Sequence, residues 1–541
     1  MDNSFWQLTR RKFITDTSAA ATASAVGLLS VGEAWGASWD AGPLNHIVPT
    51  ANHERFLVKT SFKAPLKGAP LLSIDRRSVT GQRTDDEGRF WRFDVSGLAP
   101  DRQYELRIVG ADGAPLCDAW PLKTFPAPGT RPTRLRILSY TCGGGFDGPL
   151  LKDKTLWLDM TARRRLLARG MGFQPDVVFA NGDHIYWDVR TWLNKPFAAF
   201  LQEKFLARFG GALDISLPMM HPRNAAIFQA VADYQIAGLY GTSLRSTPAF
   251  FVTDDHDNFE NDEFDEELST MPPNSYGPAG VEQTQHMYYP EFLPDGNRPD
   301  WLPGGDRAKL APGTNTGFGA FRYGNLLEAL MYDCRRWVDY AGDHARMIPQ
   351  WVENWIVQRT AAEEDTTHLL HIPSLPFSHS AGKLGEWYPD VVDNGELTIA
   401  KEKPGWQRGW FGQHQRLIKA LSTQKQRSAV IVQGDYHASA VTRIKRSGPL
   451  VLDRPVHTIT TGTLGSGDYA FPSFFHGIKA SSSELIGADE QLPVIEKNGF
   501  TIIDVTPDKL TLSLFTWRPP QDPALIDTME PTLIYEIPRN S

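Results

Sequence analysis

Between about residues 45 and 125, apolar and polar positions alternate in short runs broken by Gly and Pro. Residues 55–60, 89–95 and 104–109 each carry the period-two pattern of a half-buried strand, which predicts an antiparallel sandwich. Pro126-Ala127-Pro128-Gly129 then reads as a linker. Beyond it the pattern changes. Residues 135–140, 176–181, 249–253 and 428–433 are almost uniformly apolar, and a helix-like stretch around 156–169 separates the first two. Apolar strands alternating with helical segments predict a sheet covered on both faces. Residues 500–517 alternate like a strand pair that closes this core. The pattern divides the chain at about residues 36 and 128: a leader (1–36), a small sandwich (37–128) and a large α/β domain (129–541).

Each of the four apolar strands stops in residues able to bind metal. Their ends read Thr141-Cys142-Gly143-Gly144-Gly145, Gly182-Asp183-His184-Ile185-Tyr186, Asp254-Asp255-His256-Asp257 and Gly434-Asp435-Tyr436-His437. In layered α/β folds sites form where strand carboxyl ends converge. A Gly permits the tight turn, after which Asp183 projects inward and Tyr186 follows one turn later. A carboxylate can bridge two cations, and a phenolate suits a hard trivalent ion. Asp254, Asp255 and Asp257 crowd like charges around His256, which costs stability unless cations or hydrogen bonds compensate. Asp435 and His437, one residue apart, can both turn inward. Taken singly, these residues also fit an Asx turn, an exposed acidic turn or a small buried Cys; four strand ends together favour a site. Cys117 and Cys334 lack such surroundings and read as structural.

Composition changes the picture little. The 541 residues are 41% hydrophobic and 22% charged, ordinary for a globular chain with ample core. A net charge of -8 with no long basic run argues against a nucleic-acid scaffold binder. It does not exclude an anionic substrate, because bound cations can override the global field. Three cysteines do not make a disulfide framework.

The amino terminus reads as an export signal. Thr9-Arg10-Arg11-Lys12-Phe13-Ile14 is followed by a short, small-residue apolar stretch at 19–31 and then Ala34-Trp35-Gly36-Ala37. The arginine pair resembles a twin-arginine signal. The expectation is periplasmic or secreted location by way of the twin-arginine translocase, cleavage near Gly36 or Ala37, and no stable membrane anchor.

The order of these motifs, with Asp333-Cys334-Arg335 between the third and fourth, resembles the PhoD-type alkaline phosphatase/phosphodiesterase family over about residues 135–505. That family is similar in site logic to purple acid phosphatases within the calcineurin-like superfamily. The segment 97–104 also resembles the corner before a late strand of fibronectin-III-like modules, where a Tyr hydroxyl ties back to backbone. The resemblance implies a four-layer αββα core of two packed mixed sheets flanked by helices, behind a small antiparallel β-sandwich. It implies ferric iron and calcium, the second replaceable by another divalent cation. Cys142, Asp183, Tyr186 and His437 would hold the iron, with Asp183 bridging. Asp255 and Asp435 would help hold the second metal, His256 would meet the substrate's phosphoryl oxygen or leaving group, and Arg335 would either approach the phosphate or form a buried Asp–Arg pair that fixes a strand end. The implied activity is hydrolysis of small phosphate monoesters or diesters by a metal-activated water. Alternatives are a phospholipase-D-like diesterase for bulky esters, with Trp387, Trp406 and Trp410 near a pocket, and an exported binding protein. The chain departs from the family pattern at Cys334, where a Thr-type residue is usual, and at Trp337, where Tyr is expected. His371-Ile372-Pro373-Ser374 matches a further ligand segment loosely.

Overall fold

The computed structural model describes residues 39–539 except 148, 152–153, 188–206, 215, 259–275, 304–309, 339–345, 364, 380–391, 394–395, 398–407, 470, 472, 477–478 and 483–484. The export signal predicted at 1–36, and the pocket candidates Trp387 and Trp406, lie outside the described residues. Residues 41–541 form one compact unit.

The alternating region yields β1 (Leu44–Ala51), β2 (Phe56–Phe62), β3 (Leu71–Ile74), β4 (Arg77–Thr80), β5 (Gln82–Arg83), β6 (Phe90–Val95), β7 (Gln103–Val109) and β8 (Trp120–Lys123). They pair antiparallel as two four-stranded sheets, β1-β2-β6-β5 and β4-β3-β7-β8. The Tyr104 hydroxyl accepts from the Ala99 amide at 2.7 Å, closing the corner ahead of β7.

The next part supplies β9 (Leu135–Tyr140), a ribbon of β10 (Pro149–Leu151) and β11 (Lys154–Thr155), β12 (Val177–Asn181), β13 (Ala249–Val252), β14 (Phe318–Tyr323), β15 (Leu327–Tyr332) and β16 (His368–Pro373). After a second ribbon, β17 (Val392–Asp393) and β18 (Glu396–Leu397), come β19 (Ala429–Gln433), β20 (Ser439–Ser447) and β21 (Leu450–Thr460). The chain ends with β22 (Ile486–Ile495), β23 (Asn498–Val505), β24 (Lys509–Trp517) and β25 (Leu533–Pro538). Two mixed sheets result, β13-β12-β9-β23-β24-β25 and β14-β15-β16-β19-β21-β20-β22. The predicted pair at 500–517 is β23 against β24, with Phe500 opposite Phe515, and β23 lies directly beside β9.

Burial on both faces explains the uniformly apolar strands. In β12, Val178 and Ala180 pack with Leu166 and Leu167 of the helix Met160–Met171, while Phe179 meets Phe321 of the other sheet at 5.2 Å between ring centroids. In the second sheet, Ala429 and Ile431 pack with Ile356 and Leu417 of the helices Gln350–Ala361 and Arg408–Ser422. The layers are therefore helix, sheet, sheet, helix. The first helix starts at Met160, later than its apolar pattern suggests, because the Asp159 side chain caps it by accepting from the Ala162 amide at 2.9 Å. No helix among the described residues is long and apolar enough to cross a membrane.

The N-terminal strands dock through buried polar contacts. His46 bonds to the Tyr288 carbonyl at 2.9 Å, and burial pushes its pKa down to about 4. Lys59 on β2 is fully buried, pairs with Glu291 at 3.0 Å and donates to the His286 carbonyl at 2.9 Å. Removing one partner of such a pair strands a buried charge. Glu291→Ala should cost roughly 3–5 kcal/mol, whereas Lys59→Met with Glu291→Leu should retain most of the stability. Urea unfolding of the three proteins checks that ordering.

Candidate metal centre

The four apolar strands deliver their ends to one place because β9, β12 and β13 run parallel in one sheet, as do β16, β19 and β21 in the other. Asn181, the last residue of β12, spans the sheets: its Nδ2 donates to the carbonyls of Pro373 at 3.1 Å and Val432 at 3.4 Å. Thr141 donates to the Asn181 carbonyl at 2.6 Å and accepts from the Asp435 amide at 3.2 Å.

The turns after the strands are too tight for ordinary backbone. Gly182 has φ +83°, and a Cβ there would lie 2.7 Å from Cβ of Asp254; a Cβ on Gly434 would lie 2.3 Å from Thr141 Oγ1. Four non-glycine residues of the site also hold positive φ: Cys142 (50°), Asp183 (55°), Asp435 (80°) and His437 (51°). Each costs about 1–3 kcal/mol of local strain. The surrounding contacts impose these conformations, and the result is that all four side chains leave the strand direction together.

One carboxylate oxygen organises the first donor group. Oδ2 of Asp183 accepts from the Cys142 thiol and from the Tyr186 hydroxyl, both at 3.2 Å. Nε2 of His437 lies 4.0 Å from it and 2.9 Å from the Tyr186 oxygen. Two further groups continue the set: Asp183 with Asp255 and His256, and Asp255 with Asp254 and Asp435. Within each, the donor atoms lie within 4.8 Å of one another. Ligands held at about 2.0–2.3 Å from one cation stand roughly 3–4 Å apart, and the 3.2–4.0 Å separations around Oδ2 of Asp183 fall in that range.

The chemistry of the donors fits cations as well. Oδ1 of Asp183, Oδ2 of Asp254, Oδ1 of Asp255 and Nδ1 of His437 are buried with no hydrogen-bond partner among the described residues. Burial holds Asp183 well above the usual carboxylate range; His256 opposes this, and Asp255, Asp254 and Asp257 add to it. Burial likewise raises the Cys142 thiol, with Asp183 adding, and raises Asp254 against the pull of Arg335. His437 is pushed down to about 3 by burial, so its imidazole is neutral with a lone pair to give. Carboxylates this crowded, with atoms unpaired, are unfavourable unless positive charge joins them.

No protein-family model and no curated protein matches the sequence. The architecture does have relatives. A solved structure of PhoD superposes with a TM-score of 0.58 at 14% identity, over 93% of this chain and 92% of that one. A purple acid phosphatase from yellow lupin (Lupinus luteus) seeds superposes with a TM-score of 0.55 at 11% identity, over 92% of this chain and 75% of that one. The chain has the PhoD-type fold.

Within this PhoD-type fold the residues singled out from the sequence fall as follows. Cys142, Asp183, Tyr186 and His437 converge on one oxygen, and Asp255 and Asp435 join the adjoining groups. His256 falls among potential ligands, its ring 4.2 Å from that of Tyr186. Arg335 is buried, its Nε on Oδ1 of Asp254 at 2.7 Å and its Nη2 3.5 Å from Oδ2 of Asp435. His371 faces elsewhere: it contacts the Thr360 hydroxyl at 2.9 Å and the Tyr332 hydroxyl at 3.3 Å. Trp410 is core. Cys117 and Cys334 are buried and form no disulfide.

Sequence reasoning missed the residues that hold the loops in place. The Asp257 carboxylate accepts the amides of Asp183, His184, Ile185 and Asp254 at 2.9–3.1 Å. Burial still pushes its pKa up to about 7 against those bonds. Arg163, fully buried on the helix Met160–Met171, donates from Nη1 to the carbonyls of Gly143, Gly144 and Gly145 at 3.4, 2.7 and 2.8 Å. Asp254 was visible as part of an acidic run, but nothing local gave it priority over its neighbours. Arg163 and Asp257 act on backbone far from themselves in sequence or across a turn, and no residue pattern signals that.

Gly182→Ala tests the turn. The added methyl collides with Asp254 at a positive φ, and the variant should lose roughly 1–3 kcal/mol of stability. It should also bind markedly less metal, with far-ultraviolet dichroism unchanged; metal analysis of the purified variant checks this.

Proposed function

We propose that this protein is an exported metal-dependent phosphoesterase that hydrolyses small phosphate monoesters, diesters or both. The observation that carries the reading is the convergence of thiol, phenol and imidazole on Oδ2 of Asp183, contiguous with the Asp254, Asp255 and Asp435 carboxylates. Thiolate, phenolate, carboxylate and imidazole from Cys142, Tyr186, Asp183 and His437 suit ferric iron. An all-carboxylate neighbour suits a hard divalent cation such as calcium. When bound, such a pair supplies Lewis acidity to phosphoryl oxygens and lowers the pKa of water.

The chain's own residues set the stage for that chemistry. Asp183, which belongs to two of the donor groups, would help hold both cations. Arg335 orders Asp254 and Asp435 through its guanidinium, so its role here is to orient carboxylates. His256 is half-buried beside Tyr186 and is the candidate to meet a phosphoryl oxygen or protonate a leaving group. Cys142 is fully buried against Asp183 and serves as a donor, so no covalent phosphoenzyme is expected. The twin-arginine-like residues 9–14 support export in the folded state to the periplasm or beyond.

Hydrolysis of p-nitrophenyl phosphate and of bis-p-nitrophenyl phosphate by mature, metal-analysed protein tests the reading and sorts monoester from diester preference. Asp183→Asn should lower turnover of the preferred ester by at least ~100-fold, and chelation should abolish it until metal is restored. Full turnover after exhaustive metal removal would sink the proposal.

A further inference from the structure

Gln235 joins two of the loops that carry the donors. It lies in the π-helical turn Asp233–Ala237, which continues the helix Pro222–Ala232 and in which the Gly238 amide bonds to the Asp233 carbonyl five residues back. Such turns are rare and concentrate at functional sites. Here the wider turn sends three consecutive side chains to three different places. Asp233 pairs with Arg89 of β6's entry at 2.8 Å and accepts from the Tyr288 hydroxyl at 2.8 Å. The Tyr234 hydroxyl accepts from the Asp147 amide at 3.4 Å. Gln235 is fully buried and turns toward the donor loops.

Its Oε1 accepts two amides, those of Gly145 at 2.6 Å and Tyr186 at 2.8 Å. The first belongs to the loop that follows Cys142. The second is the backbone of the phenol donor itself, whose hydroxyl lies 3.2 Å from Asp183 and 2.9 Å from His437. The carbonyls of the same glycine loop are taken by Arg163, so Arg163 satisfies its acceptors and Gln235 one of its donors. Only the oxygen of Gln235 is engaged; Nε2 has no hydrogen-bond partner among the described residues.

Given the metal reading proposed above, we infer that Gln235 is a positioning residue whose single carbonyl oxygen fixes the spacing between the Cys142 loop and Tyr186, and thereby the seat of the phenol donor. Gln235→Met keeps length and approximate volume without the oxygen, and Gln235→Glu keeps the oxygen. The measurements are metal affinity, visible phenolate-to-iron absorption per bound iron, kcat and KM separately, and the urea midpoint. Gln235→Met should bind metal about 10–100-fold more weakly, with the absorption band shifted or lost and kcat reduced at unchanged KM. Gln235→Glu should retain the band. A lowered urea midpoint in Gln235→Met with wild-type absorption per iron and wild-type affinity would make the residue merely structural and overturn the assignment. Should Gln235→Met not fold, Gln235→Glu decides: a retained band supports the assignment and a lost one overturns it. A wild type that takes up no metal and hydrolyses neither ester defeats the metal reading first, and the assignment with it.

Discussion

Burying a carboxylate beside other carboxylates is among the costliest things a folded chain can do, and Asp183 is fully buried with Asp254 and Asp255 close by. Its Oδ2 nevertheless gathers a thiol, a phenol and an imidazole around itself. Arg335 and these hydrogen bonds offset part of this, and several donor atoms remain unpaired among the described residues. Cations would relieve the repulsion and use the unpaired atoms. The remaining architecture can be understood as the means of holding these donors together before any cation arrives.

Buried side chains hold the loops of the site by hydrogen bonds to their backbones. Asp257 gathers four amides, Arg163 three carbonyls and Gln235 two amides. A buried N–H or C=O without a partner costs about 1–3 kcal/mol, so each of these side chains makes one loop conformation much better than its alternatives. These bonds fall on or beside Cys142 and Asp183, both at positive φ, while Thr141 holds the amide of Asp435. Asn181 and Thr141 then fasten the two sheets at the level of the donors, so the halves of the site cannot drift apart independently.

Distant parts of the chain contribute to the same end. β23 lies beside β9, so the strand carrying Cys142 is completed by residues near the carboxyl terminus. The N-terminal strands press on the opposite side, where buried Lys59 meets Glu291 and Arg89 meets Asp233 at the start of the π-helical turn. The N-terminal strands thus share polar contacts with the very turn that bears Gln235.

By itself the sequence determined which strands are buried on both faces and which residues follow them, because period, Gly turns and donor type are local properties. Leu135–Tyr140, Val177–Asn181, Ala249–Val252 and Ala429–Gln433 were legible as strands for that reason, and so were Cys142, Asp183, Tyr186, Asp255, Asp435 and His437 as candidate ligands. Tertiary structure decided the rest. Asp254 joins Asp255 and Asp435, Arg335 lies between carboxylates, His371 turns to Thr360 and Tyr332, and Arg163, Gln235 and Asp257 hold loops by their backbones. The physical reason is the same in each case: a hydrogen bond to a backbone amide or carbonyl accepts almost any partner in sequence, so its identity is fixed only when the folded chain brings the two together.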